Sequence, residues 1–232
     1  PPCADDPPPC GSYRCQPAFC VDHEWRGPTE PYDPQPGDIF LASDQERWSK
    51  YGHWLIGSQG VQHSGILFAR PDGGVALLQA GPFNSLKIEV LDPVTHMAEH
   101  VGKGDRVWVR RRCVPLTPEQ SARLTEFAEI EDGKPFALWR MLAQVTPLRT
   151  RGPLRTYFVG KVHGPDRVSY WCSDMVSEAC VFAGLRDAAD TRPSATYPRD
   201  LFFGRSNSPF LDAHLRMDDW PPPARWSPGS IP

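Results

Sequence analysis

Two strand-like segments joined by a tight turn constrain the fold of this chain more than any other feature. They read VQHSGILFAR (61–70) and GVALLQAG (74–81), and the PDGG between them is a typical hairpin turn. Two further segments, LKIEVLD (86–92) and DRVWVRRR (105–112), alternate apolar with polar residues, as half-exposed strands do. Together these segments predict an antiparallel sheet.

Helical signals follow and interleave with the strands. The segment 116–130 begins with Thr117 as N-cap and Pro118 at the first helical position, and Gln120 completes a capping box. Helices are also predicted from Gln45 to about Gly57, over 133–145, and from Cys172 to Gly184, because apolar residues recur there at helical spacing. The predicted fold class is therefore α+β, an antiparallel sheet packed on helices.

Composition divides the chain into three parts. Residues 1–35 form a Cys- and Pro-rich extension, residues 36–205 the globular domain, and residues 206–232 a Pro-rich tail that packs on that domain. No apolar run of about 18 residues occurs, so we predict no transmembrane segment.

Seven cysteines indicate an oxidising compartment. Four of them crowd into residues 3–20 among Pro, Gly and Asp, which cannot build an apolar core, so disulfides are expected there. A zinc site is the alternative, but the segment has no C-x2-C pair. We predict a secreted or extracytoplasmic protein with no metal and no cofactor.

The net charge of -3 gives no global indication of nucleic acid or an anionic membrane as partner. The arginines are nevertheless clustered, at 110–112 and at 149, 151 and 155. These clusters are interpreted as solvated basic faces, with a binding site for an anionic group as the alternative.

Cys172 is the candidate nucleophile. It lies where a strand-like stretch enters a helix, and the unpaired amides and the dipole of a helix start favour a thiolate. Such a thiol can titrate well below about 8.5, and the same amides can hold an oxyanion. Cys180, two turns later, is interpreted as a core or disulfide cysteine, with Cys113 as one possible partner. The alternative for Cys172 is a packing role in the core.

His63 is the candidate base, because its small neighbours Ser64 and Gly65 leave room for another group. If the two hairpin strands pair, Gln79 lies beside His63 and its amide oxygen can fix the orientation of the imidazole. A structural histidine and a simply capped glutamine are the alternatives. Tyr170, Trp171 and His53 are candidates to line the cleft, with packing as the competing role.

Six segments occur in a recognisable order: PGDIFLAS, QHSGILF, LLQAGP, DGKPF, YWCSDMVSEACVFAGL and YPRDLFF. In this order the chain resembles the circularly permuted papain-like cysteine hydrolases related to NlpC-type peptidases, in particular the YiiX-like group, over residues 36 to about 205. In that group a histidine motif similar to HxGI precedes a cysteine motif similar to YCSELV. The resemblance implies a permuted papain-like fold with the cysteine at a helix N-terminus.

The resemblance also implies roles for individual residues. Cys172 matches the nucleophile, His63 the general base, and Gln79 the third polar position, where this group often has Glu. A glutamine has no charge and stabilises an imidazolium less than a carboxylate does. Asp174 stands where the family motif often has Glu, and we expect it to support the helix start.

The expected activity is hydrolysis of amide bonds, with a peptide or cell-wall peptide as substrate, through an acyl-enzyme on Cys172. Two alternatives remain open. One is a lipid ester hydrolase or acyltransferase of the same fold, and the other is a non-enzymatic Cys-rich binding module.

Overall fold

An eight-stranded antiparallel sheet organises the part of the chain that the computed structural model describes, residues 12–17, 29–43, 47–81, 85–164 and 166–228. The strands are β1 (Ser12–Pro17), β2 (Thr29–Pro31), β3 (Ile39–Ser43), β4 (His63–Ala69), β5 (Val75–Ala80), β6 (Ile88–Leu91), β7 (Arg106–Arg110) and β8 (Ala224–Ser227). Their order in the sheet is β2-β1-β8-β7-β3-β4-β5-β6.

Helices cover both faces of this sheet. They are α1 (Arg47–Leu55), α2 (Pro93–Gly102), α3 (Pro118–Glu131), α4 (Leu138–Leu142), α5 (Pro153–Phe158), α6 (Cys172–Phe182), α7 (Pro198–Phe203) and α8 (Pro209–Asp212). The α+β class, the antiparallel sheet packed on helices and the position of the cysteine at a helix N-terminus are therefore confirmed.

Successive side chains of each strand point to opposite faces of the sheet and so pack into two separate hydrophobic cores. Ile66 of β4 packs with Met175 and Val176 of α6, on what we call the α6 face. Leu67, the next residue of β4, packs with Met97 of α2, on what we call the α2 face. A strand whose two faces are both covered is apolar along its length. β4 fits this pattern, because the residues that follow His63 and Ser64 read GILFA.

The predicted hairpin is present, and it fixes the register that matters for the site. β4 and β5 pair from Gly65 opposite Gln79 to Ala69 opposite Val75. The turn uses Gly73 at a φ of 87°, a conformation that an L-residue rarely adopts. His63 and Ser64 extend β4 beyond the last of these pairs.

One helix is shorter than predicted. The helix expected over 133–145 forms only from Leu138, because the preceding residues join the sheet side of the fold: Lys87 bridges to Pro135 and Phe136 bridges to Tyr170. The capping box at Thr117 is confirmed, with both of its hydrogen bonds present.

The C-terminal segment contributes a strand to the sheet. β8 lies between β1 and β7, with Trp226 buried on the α2 face, and the Trp220 indole N–H donates to the carbonyl of Gly37 at 2.8 Å. The division of the chain at residues 35 and 205 stays a prediction. In the described ranges, no helix has both the length and the apolar character needed to cross a membrane.

Candidate active site

Cys172 is the first residue of α6. Trp171 before it is extended (φ -98°, ψ 171°), so the chain enters the helix directly from the bridge at Tyr170. The thiol is free and 7% exposed. Cys180 is also a free, buried thiol, whereas Cys113 is disulfide-bonded, so a Cys113–Cys180 pair is wrong. The side chains of the four cysteines at residues 3–20 lie outside the described residues, and disulfides there stay a prediction.

The sulfur of Cys172 lies against the start of β4. Its Sγ is 3.9 Å from the carbonyl oxygen of Gln62, and the amide and hydroxyl of Ser64 lie close enough to favour the thiolate. Gln62 and Ser64 flank His63 in the chain. The sulfur therefore sits at the backbone of β4, beyond the last β4–β5 pair, on the face that carries Ser64 and opposite to the face that carries the His63 ring.

His63 and Gln79 are hydrogen-bonded. The His63 Nε2 and the Gln79 Oε1 are 2.7 Å apart, and both side chains are fully buried. An amide oxygen only accepts, so Nε2 carries the proton and Nδ1 is left as the basic nitrogen of the neutral ring. The hairpin register brings these residues together, because Gln79 pairs with Gly65 and extends on the same face as His63.

Strand β5 packs so closely against Gly65 that no side chain fits there. A methyl group at Gly65 would lie 2.7 Å from a methyl carbon of Leu77 and 2.8 Å from the carbonyl oxygen of Leu78. The room beside Gly65 is thus taken by β5, and the sulfur approaches on the side of Ser64 instead.

Two histidines of α2 lie behind His63, on the α2 face. The His63 and His100 rings are stacked with centroids 6.3 Å apart, and the His100 Nε2 is 3.1 Å from the His96 Nε2. The His100 Nδ1 is 2.8 Å from an oxygen of Asp105, which anchors this ring. Sequence reasoning missed these residues. The His-x-x-x-His spacing at 96 and 100, one helical turn, was the available signal.

Burial makes both candidate groups, the Cys172 thiol and the His63 imidazole, neutral at rest. It raises the pKa of the Cys172 thiol to about 11, although Ser64 and the amides of Cys172 and Ser173 act against it. It also lowers the pKa of His63 to about 3, although Gln79 acts against it. The expected low thiol pKa at the helix start is therefore wrong: desolvation outweighs the helix amides. The pair is a thiol and an imidazole, not a preformed ion pair.

A buried ion network holds the start of α6. The Asp174 carboxylate accepts from Arg167 at 2.6 Å and also from Arg140, and Arg167 reaches Glu178 at 3.1 Å on the next turn. All residues of α6 from Cys172 to Cys180 are buried, so these acids need partners. The network is consistent with Asp174 supporting the helix start.

The three residues predicted to line a cleft are placed differently. Tyr170 is fully buried, with its hydroxyl 3.3 Å from both Glu131 and the carbonyl of Gly164, which favours packing. Trp171 is buried beneath the guanidinium of Arg140 at 4.9 Å, and its indole N–H has no hydrogen-bond partner among the described residues. His53 lies on α1, close enough to His63 to affect the pKa of that ring. Substrate contact by these residues stays a prediction.

No cluster of metal-ligating side chains occurs within the described part of the chain. The His63, His96 and His100 rings contact one another and polar protein groups rather than converging on a common point. The first amides of α6 can stabilise an oxyanion that develops beside Cys172. The Cys172 sulfur lies on the α6 face with Ser64, whereas the His63 ring lies on the α2 face with His100, so the thiol and the imidazole are not in contact at rest.

Comparisons with known proteins identify no family for this chain. No family model matches the chain, and no curated protein matches it. Solved structures that match include the metalloprotein YiiX from Escherichia coli O157:H7, at 19% sequence identity and a TM-score of 0.46, over 85% of this chain and 99% of that one. At this level of likeness, the match does not define the chemistry of this chain.

Proposed function

We propose that the protein is a cysteine hydrolase that cleaves amide bonds of a peptide or cell-wall peptide, with Cys172 as nucleophile, His63 as base and Gln79 as the group that orients His63. The observation that carries the proposal is the buried hydrogen bond of 2.7 Å between His63 and Gln79, beside a free cysteine whose sulfur contacts the residues that flank His63.

The proposed reaction begins from the neutral pair. The Cys172 sulfur and the His63 ring lie on opposite faces of β4 at rest, so the reaction requires a rearrangement that brings Nδ1 within hydrogen-bond distance of the thiol. As the sulfur then attacks the carbonyl carbon, Nδ1 of His63 accepts the thiol proton, and the Gln79 oxygen accepts a stronger bond from Nε2–H of the new imidazolium. The carbonyl π electrons move to oxygen, where the first amides of α6 stabilise the charge. The imidazolium then protonates the leaving amine, and the C–N bond breaks to give a thioester.

Hydrolysis of the thioester completes the cycle. His63 removes a proton from water, the hydroxide oxygen attacks the thioester carbon, and the carboxylic acid leaves as the sulfur regains its proton. A neutral resting pair suits a buried site, because charges form only when the substrate has excluded water and can share the stabilising groups.

Intact-protein mass spectrometry after exposure to a panel of amides and esters tests this proposal. We expect an acyl adduct on the wild-type protein and on Cys180→Ala, since Cys180 is the matched free and buried thiol. Cys172→Ala should form none, and His63→Ala should form the adduct much more slowly. Turnover that persists in Cys172→Ala would refute the proposal.

The same panel separates the alternatives. Adducts from lipid esters alone would identify the lipid hydrolase or acyltransferase of the same fold. No adduct from any compound, with a folded protein, would favour the non-enzymatic binding module.

A further inference from the structure

Residues 138–159 turn several polar side chains toward the protein and most of their large apolar side chains toward solvent, although Leu138 and Met141 pack against the core. Gln144, Thr150 and Thr156 are buried. The Gln144 Oε1 accepts from the Thr150 amide at 3.0 Å and from the Tyr197 hydroxyl at 3.1 Å, and the Thr156 hydroxyl donates to the Thr150 carbonyl at 3.0 Å. These bonds join the turn after α4 to the residues before α5 and to Tyr197, and they fix the orientation of this part of the segment.

Eight large apolar side chains of this segment are exposed as a result. They include Trp139 at 82% and Leu154 at 71% exposure. The full set, which we call the apolar surface, is Trp139, Leu142, Val145, Leu148, Leu154, Tyr157, Phe158 and Val159. Leu154, Tyr157 and Phe158 have the i, i+3, i+4 spacing of one helix face, so α5 presents an apolar stripe outward. A concentration of exposed apolar residues within one segment is a signal of an interaction site.

The charge of the same segment has one sign. No Asp or Glu occurs from Lys134 to Gly164 inclusive, whereas six Lys and Arg do. Arg151 is used inside the fold, where it pairs with the buried Asp200. Arg149 and Lys161 are exposed and Arg155 is half-buried, so the segment that carries the apolar surface also carries cations and has no acidic residue of its own.

We propose that the apolar surface docks on an anionic lipid membrane. Aromatic and leucine side chains enter the headgroup boundary, and flanking cations attract acidic lipids. A lipid surface fits better than a protein partner, because the polar side chains of the segment are turned inward and leave few directional hydrogen bonds for a protein interface. The proposal stands independently of the proposed function.

Docking here would bring the candidate active site near the membrane. The Arg140 guanidinium of α4 lies over the Trp171 ring, and Trp171 directly precedes Cys172. One stacked pair of side chains thus connects α4, which carries Trp139 and Leu142 of the apolar surface, to the residue before Cys172.

Vesicle sedimentation with the full chain tests the proposal. The probes are vesicles of phosphatidylcholine alone and of phosphatidylcholine with an equal part of phosphatidylglycerol. We expect sedimentation with the mixed vesicles, and release at high salt. Leu154→Ser with Phe158→Ser should reduce the partition coefficient at least about tenfold. Arg149→Gln with Lys161→Gln should reduce it by about fivefold for each charge, the equivalent of ~1 kcal/mol.

Val114→Ser with Ile130→Ser is the matched control, because both residues are exposed and lie outside the apolar surface. This variant should bind as the wild type does, and circular dichroism verifies that every variant is folded. Absence of binding to mixed vesicles overturns the proposal, as does equal binding to both kinds of vesicle. Self-association that Leu154→Ser with Phe158→Ser abolishes, without vesicle binding, also overturns it and identifies a second copy as the occupant.

Discussion

Replacement of Gln79 by Leu tests whether the bond to His63 serves catalysis. The two side chains are fully buried and their bond is 2.7 Å long. Leucine is similar in volume, so the change removes the acceptor without a large cavity. It leaves the His63 Nε2–H buried without an acceptor, which costs about 1–3 kcal/mol of unfolding free energy.

The kinetic effect should be separate from this loss of stability. In the transition state His63 becomes an imidazolium, and a hydrogen bond to a charged group contributes about 1.5–3 kcal/mol. At ~1.4 kcal/mol for each tenfold change, kcat/KM should fall roughly 10- to 150-fold. The assay is kcat/KM on a substrate from the adduct screen, with urea unfolding for stability.

Two comparisons make the result decisive. Gln144→Leu removes another buried glutamine, whose bonds are to Thr150, Tyr197 and the Arg140 carbonyl, and should reduce stability but not kcat/KM. In a His63→Ala background, Gln79→Leu should cause no further kinetic loss, because the pair acts as a unit. If Gln79→Leu lowered stability as expected but left kcat/KM unchanged, the bond would be structural only and the reasoning refuted.

Three further predictions concern charge and burial. Asp174→Asn should lower the unfolding free energy by about 3–5 kcal/mol in urea titrations, because it leaves the buried Arg167 without its closest acid; a loss below ~1 kcal/mol would contradict the network. Burial lowers the pKa of His63 from 6.5 to about 3, so between these values the unfolded chain binds a proton that the folded chain does not. Stability should therefore fall as the pH falls through this window, by up to ~1.4 kcal/mol per pH unit from this residue, and His63→Gln should flatten the slope. Since the pKa of the Cys172 thiol is about 11, its alkylation by iodoacetamide in Cys180→Ala should rise about tenfold per unit from pH ~7 to ~10. A plateau near neutral pH would instead indicate an ion pair.

Turns and helix starts could be predicted from sequence where the residues that determine them are neighbours in the chain. The hairpin turn at Gly73 and the capping box at Thr117 depend only on neighbouring residues, and both are present. The hairpin in turn predicted that Gln79 lies beside His63. In contrast, α2 was missed, although Asp92 caps it and Pro93 opens it, because its histidines weaken the apolar pattern.

The electrostatics of the site could not be predicted from sequence. A helix start favours a thiolate only if water remains nearby, and the sequence around Cys172 does not show that nine successive residues of α6 are buried. Burial depends on what packs against the helix, including residues from β4 more than a hundred positions earlier. The same holds for residues 138–159, whose hydrophobic pattern does not reveal which side faces outward.

The position of β8 has a consequence for synthesis on the ribosome. β1 and β2 reach the remainder of the sheet only through β8, which is translated after every other strand. β1 and β2 therefore cannot pair with the rest of the sheet until residues 224–227 have left the exit tunnel. Cotranslational folding can complete the core around β4 and α6 earlier, but the amino-terminal strands can join it only as one of the last steps.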